Sequence, residues 1–290
     1  MNVNANLHST TSLSLLASVF VLGAFPSGPA AATPDDAETI ELTGIVRDFL
    51  PSHTDFDVVP DDGWGHYMWN IAPDLGDANN PSFVGGGSKV EAQCLDSSPR
   101  PICWTLYDPD QGDTPAVPGN ADTGGITSAA TFGQWFHDVP GVNMSAPHTV
   151  IGVKRDDGPY AGMYEVNVPQ FFPIDGMLFG DGTDSHNYHF TFEIVATFTY
   201  DAAANYEFMF KSDDDVWVFL DGKMIADLGG MNGSPEQWVD LSRLGLVDGE
   251  TYSINFFKTN RSGSGNSRFH LVTNIQLSTP PLPSISAPFD

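Results

Sequence analysis

A chain of 290 residues can form one large domain or two small ones, and its formal charge of −26 constrains what it can meet. Such a surface repels phosphate backbones and anionic membranes, so nucleic acid is excluded as a natural partner and membrane insertion is not expected. Carboxylates in this abundance suit hard cations that prefer oxygen ligands, although scattered acids serve solubility equally well.

Taken in chain order, residues 13–25 form an apolar run too short to span a bilayer comfortably. Pro26, Gly28 and the small residues Ala30, Ala31 and Ala32 follow, so residues 1–32 read as an export signal and 33–37 as a linker. The absence of Lys and Arg before the run departs from that pattern. Residues 39–46 read as a strand. Cys94 and Cys103, an even count in an exported chain, are expected to pair as a disulfide. Residues 108–125, rich in Asp, Pro and Gly, read as a surface loop. Residues 127–136 place Phe132, Trp135 and Phe136 at helical spacing. Residues 163–168 read as a strand.

The second half has a period of two. Phe190, Phe192, Ile194, Ala196, Phe198 and Tyr200 alternate with mostly polar neighbours, and residues 206–211, 251–256 and 268–277 repeat the pattern. Strands with one wet face each imply antiparallel sheets around a shared core. Between them, Asp221-Gly222 joins two apolar runs, a strong hairpin signal. Residues 279–290 form a Pro-rich tail. The expectation is a single all-β domain over residues 38–278: an antiparallel, jelly-roll-like β-sandwich with long loops and at most one or two short helices.

The least ordinary run is Asp213-Asp214-Asp215, set between two strands. Three adjacent carboxylates repel one another unless a cation or hydrogen bonds neutralise them. From composition alone, a calcium corner and an acidic turn in bulk water both remain open. Nothing assembles a nucleophile: there is no Gly-x-Ser-x-Gly elbow, no HExxH and no phosphate-binding glycine loop. Adjacent aspartates at one strand end do not supply the facing carboxylates of a glycosidase.

The segment FKSDDDVWVFLDGKMIADLGG (residues 210–230) resembles the signature of fibro-slime domains. TGIVRDFLPSHTDF, FGQWFHDVPGVN and INFFKTNRSGSGNSRFHLVTNI resemble further landmarks of that family, in its order. Fibro-slime domains are related to the protective-antigen-like β-sandwich of yeast flocculins, some glycosidases and bacterial adhesins. The resemblance implies an Asp-Asp pair that holds Ca2+, which in turn binds vicinal sugar hydroxyls. The family's spacing to the Asp-Gly turn assigns that pair to Asp213 and Asp214, with Asp215 beside it. A later loop is implied to add an Asn ligand, for which Asn266 and Asn260 are the candidates. Asn232, where fibro-slime sequences often have His, and Trp238, an aromatic near the corner in sequence, complete the expected ligand-binding set. Asp227 is expected to be a structural acceptor, and Trp217 to lie in the core because it points opposite Val216 and Val218.

The expected function is therefore a secreted or cell-surface, calcium-dependent glycan binder of lectin or adhesin type, with no catalytic residues. The alternatives are a structural matrix or surface protein with a purely stabilising calcium and, more remotely, a glycoside hydrolase.

Overall fold

The computed structural model describes residues 38–282, so the expected signal and linker and most of the expected tail lie outside the described residues. The chain divides into Met1–Asp36 and Ala37–Asp290, and the second unit carries the fold. Its strands are β1 (Thr39–Phe49), β2 (Tyr67–Met68), β3 (Ser88–Ala92), β4 (Cys94–Leu95), β5 (Pro101–Ile102), β6 (Val117–Ala121), β7 (Asn143–Lys154) and β8 (Tyr164–Val168). They continue as β9 (Phe190–Thr199), β10 (Glu207–Ser212), β11 (Val216–Leu220), β12 (Lys223–Leu228), β13 (Glu236–Asp240), β14 (Thr251–Asn260) and β15 (Phe269–Thr273). The one α-helix among the described residues is α1 (Ala129–Phe132), shorter than its spacing predicts and opened by a Ser128–Thr131 capping box.

Ten strands form one antiparallel sheet in the order β12-β11-β14-β9-β1-β7-β8-β15-β10-β13. The sheet folds back on itself, because rings from β9 and β14 pack on rings from β10 and β15. Phe192 lies 6.0 Å from Phe269, and Phe210 lies 6.0 Å from Phe256, centroid to centroid. Its two end strands meet: the Asp227 amide on β12 donates to the Gln237 side chain on β13 at 2.8 Å. The all-β, antiparallel sandwich expected from the alternation is therefore the fold, nearly closed into a barrel.

The single wet face per strand holds for β9, where Val195 and Thr199 are exposed, and fails elsewhere. Every residue of β11 is buried, as is β14 from Ile254 onward. A second core explains this. Val216, Val218 and Phe256 face the sandwich interior, while Trp217, Phe219 and Phe257 face outward against Phe132, Trp135 and Phe136. The excursion between β1 and β7 supplies that covering layer, with Phe136 4.9 Å from Phe257. Trp217 is thus core, on the face its alternation gave it.

The expected disulfide is absent. Cys94 and Cys103 are unbonded and buried. Strand pairing sets Cys94 opposite Ile102, so Cys103 is one step beyond the pair and alternation turns its side chain to the other face. The Cys103 thiol accepts from the Thr105 hydroxyl at 3.1 Å, and the Cys94 thiol accepts from the Ala116 amide at 3.2 Å. Burial raises both thiol pKa values, which suppresses the thiolate. No helix among the described residues is long and apolar enough to cross a membrane.

Candidate functional site

Two connections leave one half of the sandwich for the other side by side. β10 leads into β11 through Asp213, Asp214 and Asp215, and β14 leads into β15 through residues 261–268. Because β11 pairs with β14 and β10 with β15, the acidic corner lies against the start of the later loop. That topology is the reason the aspartates meet residues some fifty positions away.

The three aspartates have different surroundings. Asp215 is fully buried and holds the Arg261 guanidinium through both oxygens, at 2.7 and 3.1 Å. It also accepts from the Gly230 amide at 2.5 Å. Asp215 is therefore a structural counter-ion, which corrects its expected role in ligand binding: no part of it faces solvent. Arg261 is equally buried, and its guanidinium stacks 5.1 Å over the Trp135 ring.

Asp214 is buried in a left-handed conformation at φ 56°, which short polar side chains tolerate. One of its oxygens accepts from the Arg261 amide at 2.8 Å. Burial pushes its carboxyl pKa up to about 6, and the neighbouring Asp215 adds to the rise. Asp213 is half-buried and accepts from the Ser234 hydroxyl. Beneath the corner, the buried Lys258 ammonium donates to the Ser212 hydroxyl at 3.0 Å and to the Asp213 carbonyl at 2.8 Å. Burial brings the Lys258 pKa down to about 8, against the pull of Asp214, Asp213 and Asp215. Three carboxylates thus face two cations, and one net negative charge remains.

Asp213 and Asp214 open onto a shallow cavity of about 320 Å3, which Asn232, Asn266 and Trp64 also line. Asn232 donates to the Gly230 carbonyl at 2.7 Å, while its own side-chain oxygen is buried with no hydrogen-bond partner. Among the described residues, no group of three or more His, Cys, Asp or Glu side chains surrounds a common metal position. The groups that line the cavity include two carboxylates and two side-chain amides, the hard-oxygen type that calcium takes. The orphaned Asn232 oxygen is a buried acceptor awaiting a cation or a donor. The residues present fit a calcium ion held by Asp213 and Asp214, with Asn232 and Asn266 at its rim.

Asn260 does not join them. It closes β14 opposite Phe190 and donates to the Tyr188 carbonyl at 2.6 Å, so the chain direction that delivers Asn266 carries Asn260 inside. Trp238 is also elsewhere. It sits on the end strand β13 beneath the Arg100 guanidinium, 5.4 Å from the ring centroid. The aromatic that lines the cavity is Trp64, 53% exposed, which no sequence motif singles out. Its signal was a bulky ring between Gly63 and Gly65, outside any alternating run. Asp227 is structural as expected. Its carboxylate accepts from the indoles of Trp104 and Trp217, both at 3.0 Å, and from the Trp69 amide at 3.1 Å.

The fold and corner define an all-β sandwich module with an acidic, oxygen-lined crossover site. Residues 174–286, which span β9 through β15 and both crossovers, match the PA14 domain family model. The chain therefore carries a PA14-type domain, in line with the resemblance read from its motifs. Protein psiJ of Dictyostelium discoideum is 34% identical over 71% of this chain and 29% of its own length. Protein psiD of the same organism is 30% identical over 90% of this chain and 46% of its own. The chain thus spans less than half the length of these two relatives. Among solved structures, the epithelial adhesin 9 A domain from Candida glabrata, in complex with Galb1-4GlcNAc, aligns over 86% of this chain and 93% of its own at 10% identity and a TM-score of 0.27. A beta-glucosidase from Kluyveromyces marxianus aligns over 37% of this chain and 13% of its own, at 12% identity and a TM-score of 0.26. Likenesses this remote carry no functional argument.

Proposed function

We propose that this chain is a non-catalytic, calcium-dependent carbohydrate-binding module of lectin or adhesin type that acts outside the cell. The observation that carries the reading is the cavity at the crossover corner, lined by Asp213, Asp214, Asn266, the exposed Trp64 and Asn232, whose side-chain oxygen has no partner. Calcium bound there supplies coordination positions for vicinal sugar hydroxyls. The chain's own residues do the rest. Asp214, anchored by the Arg261 amide, presents a fixed carboxylate, and Lys258 offsets part of the repulsion between neighbouring acids. Trp64 offers an apolar face to the CH side of a pyranose, and the shallow opening leaves room for a guest.

The test is binding to an immobilised glycan panel in calcium and in chelator, for the native chain and for Asp214→Asn. Binding should appear in calcium only and vanish in the variant, with far-UV circular dichroism unchanged. A variant that binds as the native chain does, with the same calcium dependence, sinks the assignment. Saturating calcium should also raise the melting temperature, since a ligand at 100 times its Kd adds about 2.7 kcal/mol. That rise without any glycan binding would select the alternative of a purely stabilising calcium.

A further inference from the structure

A second opening, larger than the one at the acidic corner, lies elsewhere on the sheet. It is a cleft of about 820 Å3 at the other end of β11, within the size range of roughly 300–1,000 Å3 typical of ligand sites. Val216 adjoins the aspartates and Leu220 lines the cleft, so one strand, at about 3.3 Å per residue, separates the two openings. Asp221 of the hairpin turn and the segments 73–74, 105–111 and 243–246 form its walls.

We propose that this cleft is a second, calcium-independent site for an uncharged oligosaccharide. Three features argue for that chemistry. First, the lining offers rings beside hydrogen-bonding groups. Tyr107 is 37% exposed, and Tyr252 and Leu246 flank Gln111 and Arg243. A pyranose has this same mixture, with apolar CH faces and a polar rim. Second, Arg243 contributes an unused donor. Its side chain is only 10% exposed and is pinned by an ion pair to the fully buried Asp113 and by a bond to the Leu106 carbonyl at 3.0 Å. Its Nε is buried with no partner, so a guest oxygen reaches it only if the Arg243 side chain shifts toward the cleft. Third, the charges exclude an ionic guest of negative sign. Arg243 is neutralised by Asp113 and Lys223 by Asp74, while Asp108 and Asp221 line the cleft without a cation of their own. An anion would meet uncompensated carboxylates, whereas neutral hydroxyls and ring oxygens can accept from Arg243.

The ligand panel is neutral: cello-, xylo-, manno-, galacto- and chito-oligosaccharides, titrated calorimetrically in excess chelator. At least one series should bind. Tyr107→Ala should weaken that binding at least about tenfold through loss of the ring face, without changing the melting temperature or the response to calcium. Leu246→Trp, which fills the cleft and leaves Tyr107 in place, should produce the same loss. No binding by any series at millimolar sugar in chelator overturns the proposal, and so does chelator-resistant binding that both variants leave intact. The chelator arm is read without the acidic corner, so either site can fail while the other stands.

Discussion

Asp213, Asp214 and Asp215 are consecutive, yet only two of them reach the cavity, and the third holds a buried guanidinium. The left-handed backbone at Asp214 breaks the alternation here, and Asp215, just ahead of β11, is turned toward Arg261 and the Gly230 amide. Removing one partner of a buried pair leaves the other charge uncompensated, typically at 3–5 kcal/mol. Asp215→Asn should accordingly destabilise the fold by about 3–5 kcal/mol in urea denaturation. A change below about 1 kcal/mol would show the pair to be dispensable. Asp227 offers a second residue-level test. Burial raises its pKa from the ordinary 3.8 to about 6, against donation from the Trp69 amide and two indoles. The folded state therefore holds a proton that the unfolded chain releases between those values. The contribution of Asp227 is most favourable below about pH 4 and diminishes as pH rises through about 6. The stability of the native chain relative to Asp227→Asn should fall across that window in melting temperature, and a flat difference would contradict the shift.

At the scale of elements, the hairpin and the two crossovers matter most. The β11–β12 turn has Asp221 at φ 47° and Gly222 at φ 79°, the left-handed pair that Asp-Gly favours. A Cβ added at Gly222 would meet nothing within 4 Å, so the strain of substitution there is purely conformational. Gly222→Ala should cost about 1–2 kcal/mol, measured by denaturant midpoint, with calcium response unchanged. This turn was legible because two adjacent residue types encode its backbone. The strand at residues 190–199 was legible because one face meets the core and the other is wetter, whereas in residues 251–260 the polar and apolar alternation covers only the first half, before both faces are buried. β7 and β13 were not: β7 alternates weakly, and β13 spans only five residues. The helix signal at residues 127–136 was a packing signal instead. Phe132, Trp135 and Phe136 are buried together, but only Ala129–Phe132 is helical.

For the whole molecule, the sequence by itself determined the class of fold, the hairpin, the acidic corner and the burial of Trp217. Each depends on residues close in the chain, whose period or turn chemistry is local. Only the tertiary structure decided which side chains share a cavity. Side-by-side crossovers between the sheet halves bring Asn266 to Asp213 and Asp214, and the β12–β13 connection adds Asn232, while Asn260, Asp215 and Trp238 are turned elsewhere. Trp64 comes from a segment about 150 positions earlier, and the cleft below the hairpin is assembled from loops just as distant. Such meetings follow from sheet order, and sheet order follows from how the two cores close around their rings, a global balance of burial that no short stretch of sequence records.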